Sequence, residues 1–406
     1  MPQNMSLTAE SPTKMPRPRI AVSAAWKWGV VLALIAVAGL LLVWKPRRRP
    51  VKVELLPIAD SLPSWDGSYP YLTISLGAPG ADRVGFDTST QFVKPTVRHG
   101  FPINEFQVDL HSGQFVLRQS DLFVPDAIPL SLTRTYHAWD FEKRASEFGA
   151  GTNHPYDICP TGTRFPYTYM DLNLEDGQQI HFDRISKGTG YADAVFRHGA
   201  TSSEFYEARI AWNGDGWNLD FRDGRRFLFP EAYYAKSFAQ GAPFEMNDGM
   251  GHRIQLKRDK QRRLAEIVSP SGRAITLQYD EADRIVAAMD SLGNLRKYAY
   301  DATDHLESVA DESHVLYRFR YEPLLHAVGF NPYLMTAVLD GNGKELLRNI
   351  YDGNDTGRIS EQRTANGEVY RYKYVLSSTE IVETNVFGPS GNRTFFFRHG
   401  IFWKEK

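Results

Sequence analysis

"ITLQYDEADRIVAAMDSLGNLRKYAYDATDHL", residues 275–306, carries Tyr279-Asp280 and Tyr300-Asp301 at a spacing of 21 residues. The spacing extends outward on both sides. Gly251, Gly272 and Gly293 keep it, and seven residues after each glycine come Arg258, Tyr279 and Tyr300, with Tyr321 next in the series. Leu264, Ile285 and Leu306 repeat at the same interval. Inside each unit every second residue lines one strand face: Ile254, Leu256, Arg258; Ile275, Leu277, Tyr279; Arg296, Tyr298, Tyr300; Tyr317, Phe319, Tyr321. A period of two inside a period of 21 predicts one β-hairpin per repeat. Residues 322–335 interrupt the register, which resumes at Gly343 with Tyr351-Asp352 and again at Gly367 with Tyr370, Tyr372 and Tyr374.

Each half of the Tyr-Asp pair has a local reason to recur. An aspartate opening a turn accepts a hydrogen bond from the backbone two residues on, so "YDEADR" and "YDATDH" reverse the chain. A tyrosine ending a strand buries its ring and is expected to keep its hydroxyl at the solvated rim. A catalytic pair needs no copying along a chain, and Arg258-Asp259 takes its place in the first unit. Tyr279, Asp280, Tyr300, Asp301, Tyr321, Tyr351 and Asp352, with Gly251, Gly272 and Gly293, are therefore read as structural repeat residues of a repeat region over 251–406.

The preceding stretch, 71–250, also reads as short strands. "YLTISLG", "FVLRQSDLFVP", "LSLTRTY", "YMDLNLEDGQQIHFDRI" and "WNLDFRDGRRFLFP" alternate or run apolar over four to eight residues before a turn signal. The fold class is all-β. Ahead of it lie a polar tail over 1–25, an apolar run "WKWGVVLALIAVAGLLLVW" over 26–44, and a spacer over 45–70 with prolines at 46, 50, 57, 63 and 70. The stretch from Trp28 to Trp44 has no charge and no proline, is long enough for a thin bilayer core, and is bracketed by basic residues and tryptophans. It is predicted to be a single transmembrane helix, so the membrane is the first expected partner. The basic residues on its two sides are nearly balanced and slightly favour a cytoplasmic body.

The net charge of -1 conceals an asymmetry: residues 1–52 hold nine Lys or Arg against Glu10, and the remainder holds 38 basic and 47 acidic residues. An acidic body argues against nucleic acid as a partner. Cys159 is the only cysteine, which excludes an intrachain disulfide and a Cys-rich zinc site.

The repeat resembles the YD repeat of Rhs and teneurin-like proteins, whose unit has a Gly, then Tyr-Asp seven residues on, then a basic and an aliphatic residue. "HSGQFVLRQSDLFVPDAIPLSLTRTYHAWD", 111–140, is similar to the domain of unknown function that opens many Rhs cores, with its Gly-containing turn, its strand ending in "DL" plus Pro, and its Arg-Thr-Tyr triplet. "FGAGTNHPYDI", 148–158, stands where that family has a Gly-Gly-Trp-like segment. The resemblance covers roughly residues 104–385. It implies a spiral of β-hairpins forming the wall of a hollow shell, here an open or partial one, with the body outside the cytoplasmic membrane. The family's Asp-Pro-x-Gly self-cleavage signature is not in the sequence, so no toxin activity is carried over.

Candidate chemistry is sparse. Asp87-Thr88-Ser89 in "VGFDTSTQ" resembles an aspartic-protease motif, which would need two copies sharing a proton and hence a homodimer; as a turn tripeptide it has a simpler reading. The eleven histidines show no metal-ligand spacing, and no cofactor motif is present. Twenty Tyr, 24 Phe and eight Trp make a glycan or a protein at the cell envelope a possible ligand. The sequence thus predicts a non-enzymatic, membrane-anchored binding or scaffold module. The alternatives are an accessory or truncated component of an Rhs-type toxin system and the Asp87 protease.

Overall fold

The glycine and Tyr-Asp punctuation does divide the chain into hairpins. The computed structural model describes residues 96–98, 101–103, 106–138, 146–200, 203–323, 333–353, 356–378, 380–398 and 401–406. All fall within the unit Asp66–Lys406. The tail 1–25, the apolar run 26–44, the spacer 45–70 and Asp87 lie outside the described residues. Among the described residues no helix is long and apolar enough to cross a membrane. The helix that is present, α1, is the four-residue turn Phe238–Gly241.

One long antiparallel sheet holds 22 of the described strands. Ladders join each strand to the next in sequence from Cys159–Gly162 to Ile401–Glu405. The sheet passes through Gly251 without a break, because Glu245–Asn247 pairs with Arg253–Arg258. The boundary expected between 250 and 251 is therefore a change of sequence pattern within one sheet. The interruption at 322–335 is likewise local: Val315–Pro323 and Tyr333–Asp340 pair with each other in register up to Pro323 and Tyr333.

Each repeat reverses twice. At one end Gly272 and Gly293 sit at φ near +88°, each closing a short loop in which its N–H donates to Ser269 or Asp290. At the other end Asp280 Oδ1 accepts from the N–H groups of Ala282 and Arg284, and Asp301 Oδ1 from those of Thr303 and His305. Asp283 and Asp304 take the left-handed position there, a conformation Asp tolerates better than most residues.

The strands that carry Arg258, Tyr279, Tyr300 and Tyr321 bury alternate residues, Ile254, Leu256, Ile275, Leu277, Tyr298 and Phe319. The return strands bury residues three apart instead: Leu264 and Ile267, Ile285 and Ala288, Leu306 and Val309. The reason is a β-bulge in each hairpin, where Lys257 and Arg258 face Glu266 and Leu264, leaving Ala265 as the extra residue. The same shift recurs beside Tyr279, Tyr300, Tyr321 and Tyr351. A bulge bends its strand and takes a carbonyl out of the ladder.

That carbonyl explains the tyrosine. Tyr300, Tyr321 and Tyr374 each donate their hydroxyl to the carbonyl 15 residues earlier, on Ile285, Leu306 and Ile359, at 2.6 to 2.9 Å, and Tyr279, whose one hydroxyl hydrogen is shared with Glu147 Oε2, lies 2.8 Å from Leu264 O. Tyr351 donates likewise to Met335 O, 16 residues earlier. The expected solvated hydroxyl is thus corrected: it ties one hairpin to the preceding one beyond the last ladder pair, Glu266 with Thr276 in the Tyr279 unit. Arg258 keeps the geometry in the first unit, its Nε donating to Pro243 O, also 15 residues back. On the outer side Arg263 and Arg284 stack over the rings of Tyr279 and Tyr300. Each also bridges the aspartates of two successive turns, Arg284 joining Asp280 to Asp304.

Tyr300→Phe keeps the ring and removes only the donor to Ile285. It should lower the unfolding free energy by about 1–3 kcal/mol, the cost of an unsatisfied carbonyl. Tyr300→Ala should cost more, about 3 kcal/mol or above. Urea denaturation of the two variants checks this; a Phe variant as stable as the parent would remove the hydroxyl from the account.

Candidate functional site

The predicted repeat residues do not converge on one site. Tyr279, Tyr300, Tyr321 and Tyr351 form a row along the sheet, with Asp280, Asp301 and Asp352 in the turns behind them and Gly251, Gly272 and Gly293 in the opposite turns. What does converge is a second, three-stranded sheet, Val116–Val124, Leu130–His137 and Thr152–Asn153, which packs against the buried face of the repeats.

Its backbone is bonded to repeats far apart in sequence. The amide of Ile285 donates to Glu147 O and that of Ala150 to Asp304 O, both at 2.7 Å. Ile359 N donates to Gly113 O, Gln362 Nε2 to Phe106 O, and Thr384 Oγ1 to Leu110 O. Two glycines permit this approach. A Cβ on Gly113 would meet the side chains of Arg358 and Tyr374 at 2.9 Å, and one on Gly149 would meet Asp304 O at 2.5 Å. At the outer margin Asp126 accepts from Ser269 and Ser271.

Two buried polar clusters lie in this seam. In the first, the guanidinium of Arg134 donates to both carboxylate oxygens of Asp121 and, at 2.7 Å, to Gln119, while Tyr298 OH donates to Asp121 Oδ2 at 2.9 Å. Phe319 lies 5.5 Å from the guanidinium carbon. Burial opposes the charge on Arg134, but Asp121 outweighs it and holds the guanidinium above its ordinary value. Burial, then the Asp121 charge, pushes the Tyr298 hydroxyl far up.

In the second cluster His154 Nε2 and Tyr279 OH lie 2.7 and 2.8 Å from Glu147 Oε2. Arg258 donates to Tyr156 O at 2.7 Å, and its Nη1 is 3.6 Å from Asp157 Oδ1. Burial alone would raise Glu147, yet His154, Arg258 and Tyr279 hold it below the usual carboxylate range. Burial and the Glu147 charge push Asp157 up to about 6. Both clusters bond within the seam, although His154 Nδ1 and Asp157 Oδ1 of the second have no hydrogen-bond partner. Glu147, His154 and Asp157 are nearly or wholly excluded from solvent, so the arrangement can bind segment to sheet, and no substrate reaches it as it stands.

The sequence reading missed Asp121, Glu147, His154 and Asp157 as functional positions. Arg134 and Tyr136 belong to the Arg-Thr-Tyr triplet it did single out, and Tyr136 OH accepts from Met335 N at 2.9 Å. Among the described residues no group of acids, histidines or cysteines is placed to hold a metal.

Solvent-facing aromatics gather elsewhere, around Arg164. Phe165 is 75% and Tyr234 87% exposed. Phe165 meets Tyr233 at 6.0 Å, Tyr233 meets Tyr234 edge-on at 4.6 Å, and Tyr167 links them to Tyr191 and Trp217. Arg164 lies over Tyr167 and Tyr233 and pairs with Glu231 at 3.2 Å, which in turn accepts from Trp217 Nε1. The patch is therefore held from below by an ion pair.

The fold and seam define an all-β protein built on a long antiparallel meander of hairpins. The family described as Domain of unknown function (DUF6531) matches residues 106–182, which include the segment 111–140 singled out above and both Glu147 and Asp157. No curated protein matches the chain. It is similar to the crystal structure of TcdB2-TccC3-Cdc42 at 11% identity and a TM-score of 0.29, over 73% of this chain and 16% of that one. Against TcdB2-TccC3 without its hypervariable C-terminal region the figures are 12%, 0.27, 68% and 15%. A porin-like protein from Bacteroides uniformis gives 8%, 0.19, 77% and 96%. Likenesses at such TM-scores assign this chain neither a partner nor an activity.

Asp121→Ala would leave Arg134 charged and unpaired in the seam, at a cost of about 3–5 kcal/mol. Adding Arg134→Met to Asp121→Leu should recover most of that loss, because an apolar pair leaves no buried charge. Chemical denaturation of the single and double variants separates the two effects.

Proposed function

We propose that the chain is a non-enzymatic, membrane-anchored protein of the Rhs or YD-repeat type that acts as a binding module at the cell envelope. Its body would lie outside the cytoplasmic membrane and its anchor would be residues 26–44. The observation that carries this reading is the seam: the segment matched as DUF6531 is bonded across the Tyr-Asp repeats, so the two sequence features form one body. The titratable clusters are buried in that seam, and the described surface carries a patch of aromatic rings that a ligand can reach.

The patch suits a glycan. Tyr234 and Phe165 present rigid rings to solvent, and such rings stack on the apolar faces of sugars at small entropic cost. Arg164 and Glu231 hold the neighbouring rings in place beforehand, which favours binding.

Two measurements test the proposal. Protease added to intact cells should digest the body without lysis; a body protected until lysis refutes the surface placement. Full-length protein in detergent should retain envelope glycans on an array, and Phe165→Ala with Tyr234→Ala should weaken retention at least tenfold while leaving the denaturation midpoint unchanged. Equal retention by parent and variant rejects the patch as the glycan site.

A further inference from the structure

The second buried cluster has an unbalanced charge count. Two carboxylates, Glu147 and Asp157, face one guanidinium, Arg258, and the remaining members are the imidazole of His154 and the hydroxyl of Tyr279. Arg263 covers the outer face of the Tyr279 ring, where it is occupied by Asp259 and Asp283. Tyr156, beside His154, donates its hydroxyl to Ser131 O. No other charged group faces the cluster from the packed elements among the described residues. Asp157 Oδ1 is buried with no hydrogen-bond partner and its nearest cation, Arg258 Nη1, is 3.6 Å away, so an ionised Asp157 beside Glu147 is poorly compensated in a place water does not reach.

We propose that this cluster is a one-proton latch, in which a single proton taken up by Asp157 locks the segment 146–158 onto the first two repeats and its loss loosens that segment. One atom marks where the proton is missing: Asp157 Oδ1 is buried without a hydrogen-bond partner, whereas Glu147 Oε2 is contacted by both His154 and Tyr279. The latch also has leverage. Glu147 O accepts from Ile285 N, Leu264 N approaches Glu147 Oε1, and Arg258 reaches Tyr156 O, so the cluster and the backbone seam around it stand or fall together.

The direction of the pH effect follows from the folded state holding a proton that the unfolded chain has lost. Asp157, raised to about 6 by burial and Glu147, contributes stability that is complete below its ordinary value and declines as pH rises through about 6. Glu147, held low, contributes stability that is lost only as pH falls through its depressed value. The latch is therefore closed in acid solution near pH ~4.5, loosens as pH rises to about 6, and changes no further above that.

Hydrogen exchange of the full chain between pH 4.5 and 8, corrected for the intrinsic rate, reads the latch directly. Protection of 146–158 should fall as pH rises from about 4.5 to about 6, by at most roughly tenfold per pH unit, the limit for one proton, and level off above 6, while 337–340 stays constant. Asp157→Asn leaves Glu147 balanced by Arg258 without a proton, so its protection should be flat with pH and at least as high as that of the parent at pH 8. Glu147→Gln tests the same balance from the other carboxylate should the first variant fold poorly. A parent whose protection is flat over this range overturns the proposal, and so does a folded variant that keeps the parent's slope.

Discussion

The structure depends on how one carbonyl per repeat is satisfied. A bulge in each hairpin bends the sheet and frees the carbonyl at Leu264, Ile285, Leu306, Met335 or Ile359. A half-buried carbonyl without a donor is costly, and the ladder to the next hairpin has ended by that point. The tyrosine of the following unit reaches across with its hydroxyl, so the curvature of one hairpin is conditional on the next. Burial raises the hydroxyl of Tyr321, Tyr351 and Tyr374 far above its ordinary range, which keeps the donor protonated at any pH a cell meets.

The same bulges leave a face that the repeats cannot cover themselves. Ile275, Leu277, Tyr298 and Phe319 point to one side, and the three-stranded sheet within 106–158 lies on them. Apolar area drives that contact, while register comes from polar groups. Arg134 with Asp121, and Glu147 with Tyr279, admit one placement of the segment, because any slip would bury unpaired charge. Gly113 and Gly149 mark the two points where backbone meets repeat too closely for a side chain.

Much of the repeat was legible because its signals are local. A glycine at positive φ, an aspartate capping its own turn and strict alternation before the tyrosine are all set within a dozen residues. The bulge was legible in principle: Leu264 with Ile267, and Ile285 with Ala288, break the period of two. Without it the sequence shows no acceptor for the hydroxyl other than solvent. The buried clusters were not legible, since Glu147 and Tyr279 are 132 residues apart and Asp121 and Tyr298 are 177 apart. Nothing in "FGAGTNHPYDI" announces which repeat its acids will meet; that is decided by the packing of two sheets.

Arg258 shows why the charged cluster sits where it does. At the tyrosine position of the first unit a guanidinium supplies the same bond to the carbonyl 15 residues back, and has donors left over for Tyr156 O and Arg262 O. Tyrosine could not make those further bonds, so the exchange extends the tie from neighbouring hairpin to docked segment. It also brings a positive charge into a buried seam, which requires an acid within reach, and Asp157 is there. Glu147, bonded to the tyrosine of the next unit, then adds the second carboxylate and with it the charge imbalance. The later repeats, which keep tyrosine, have neutral ties. The proposed proton latch thus falls at the repeat where the structural bond is made by a charged side chain.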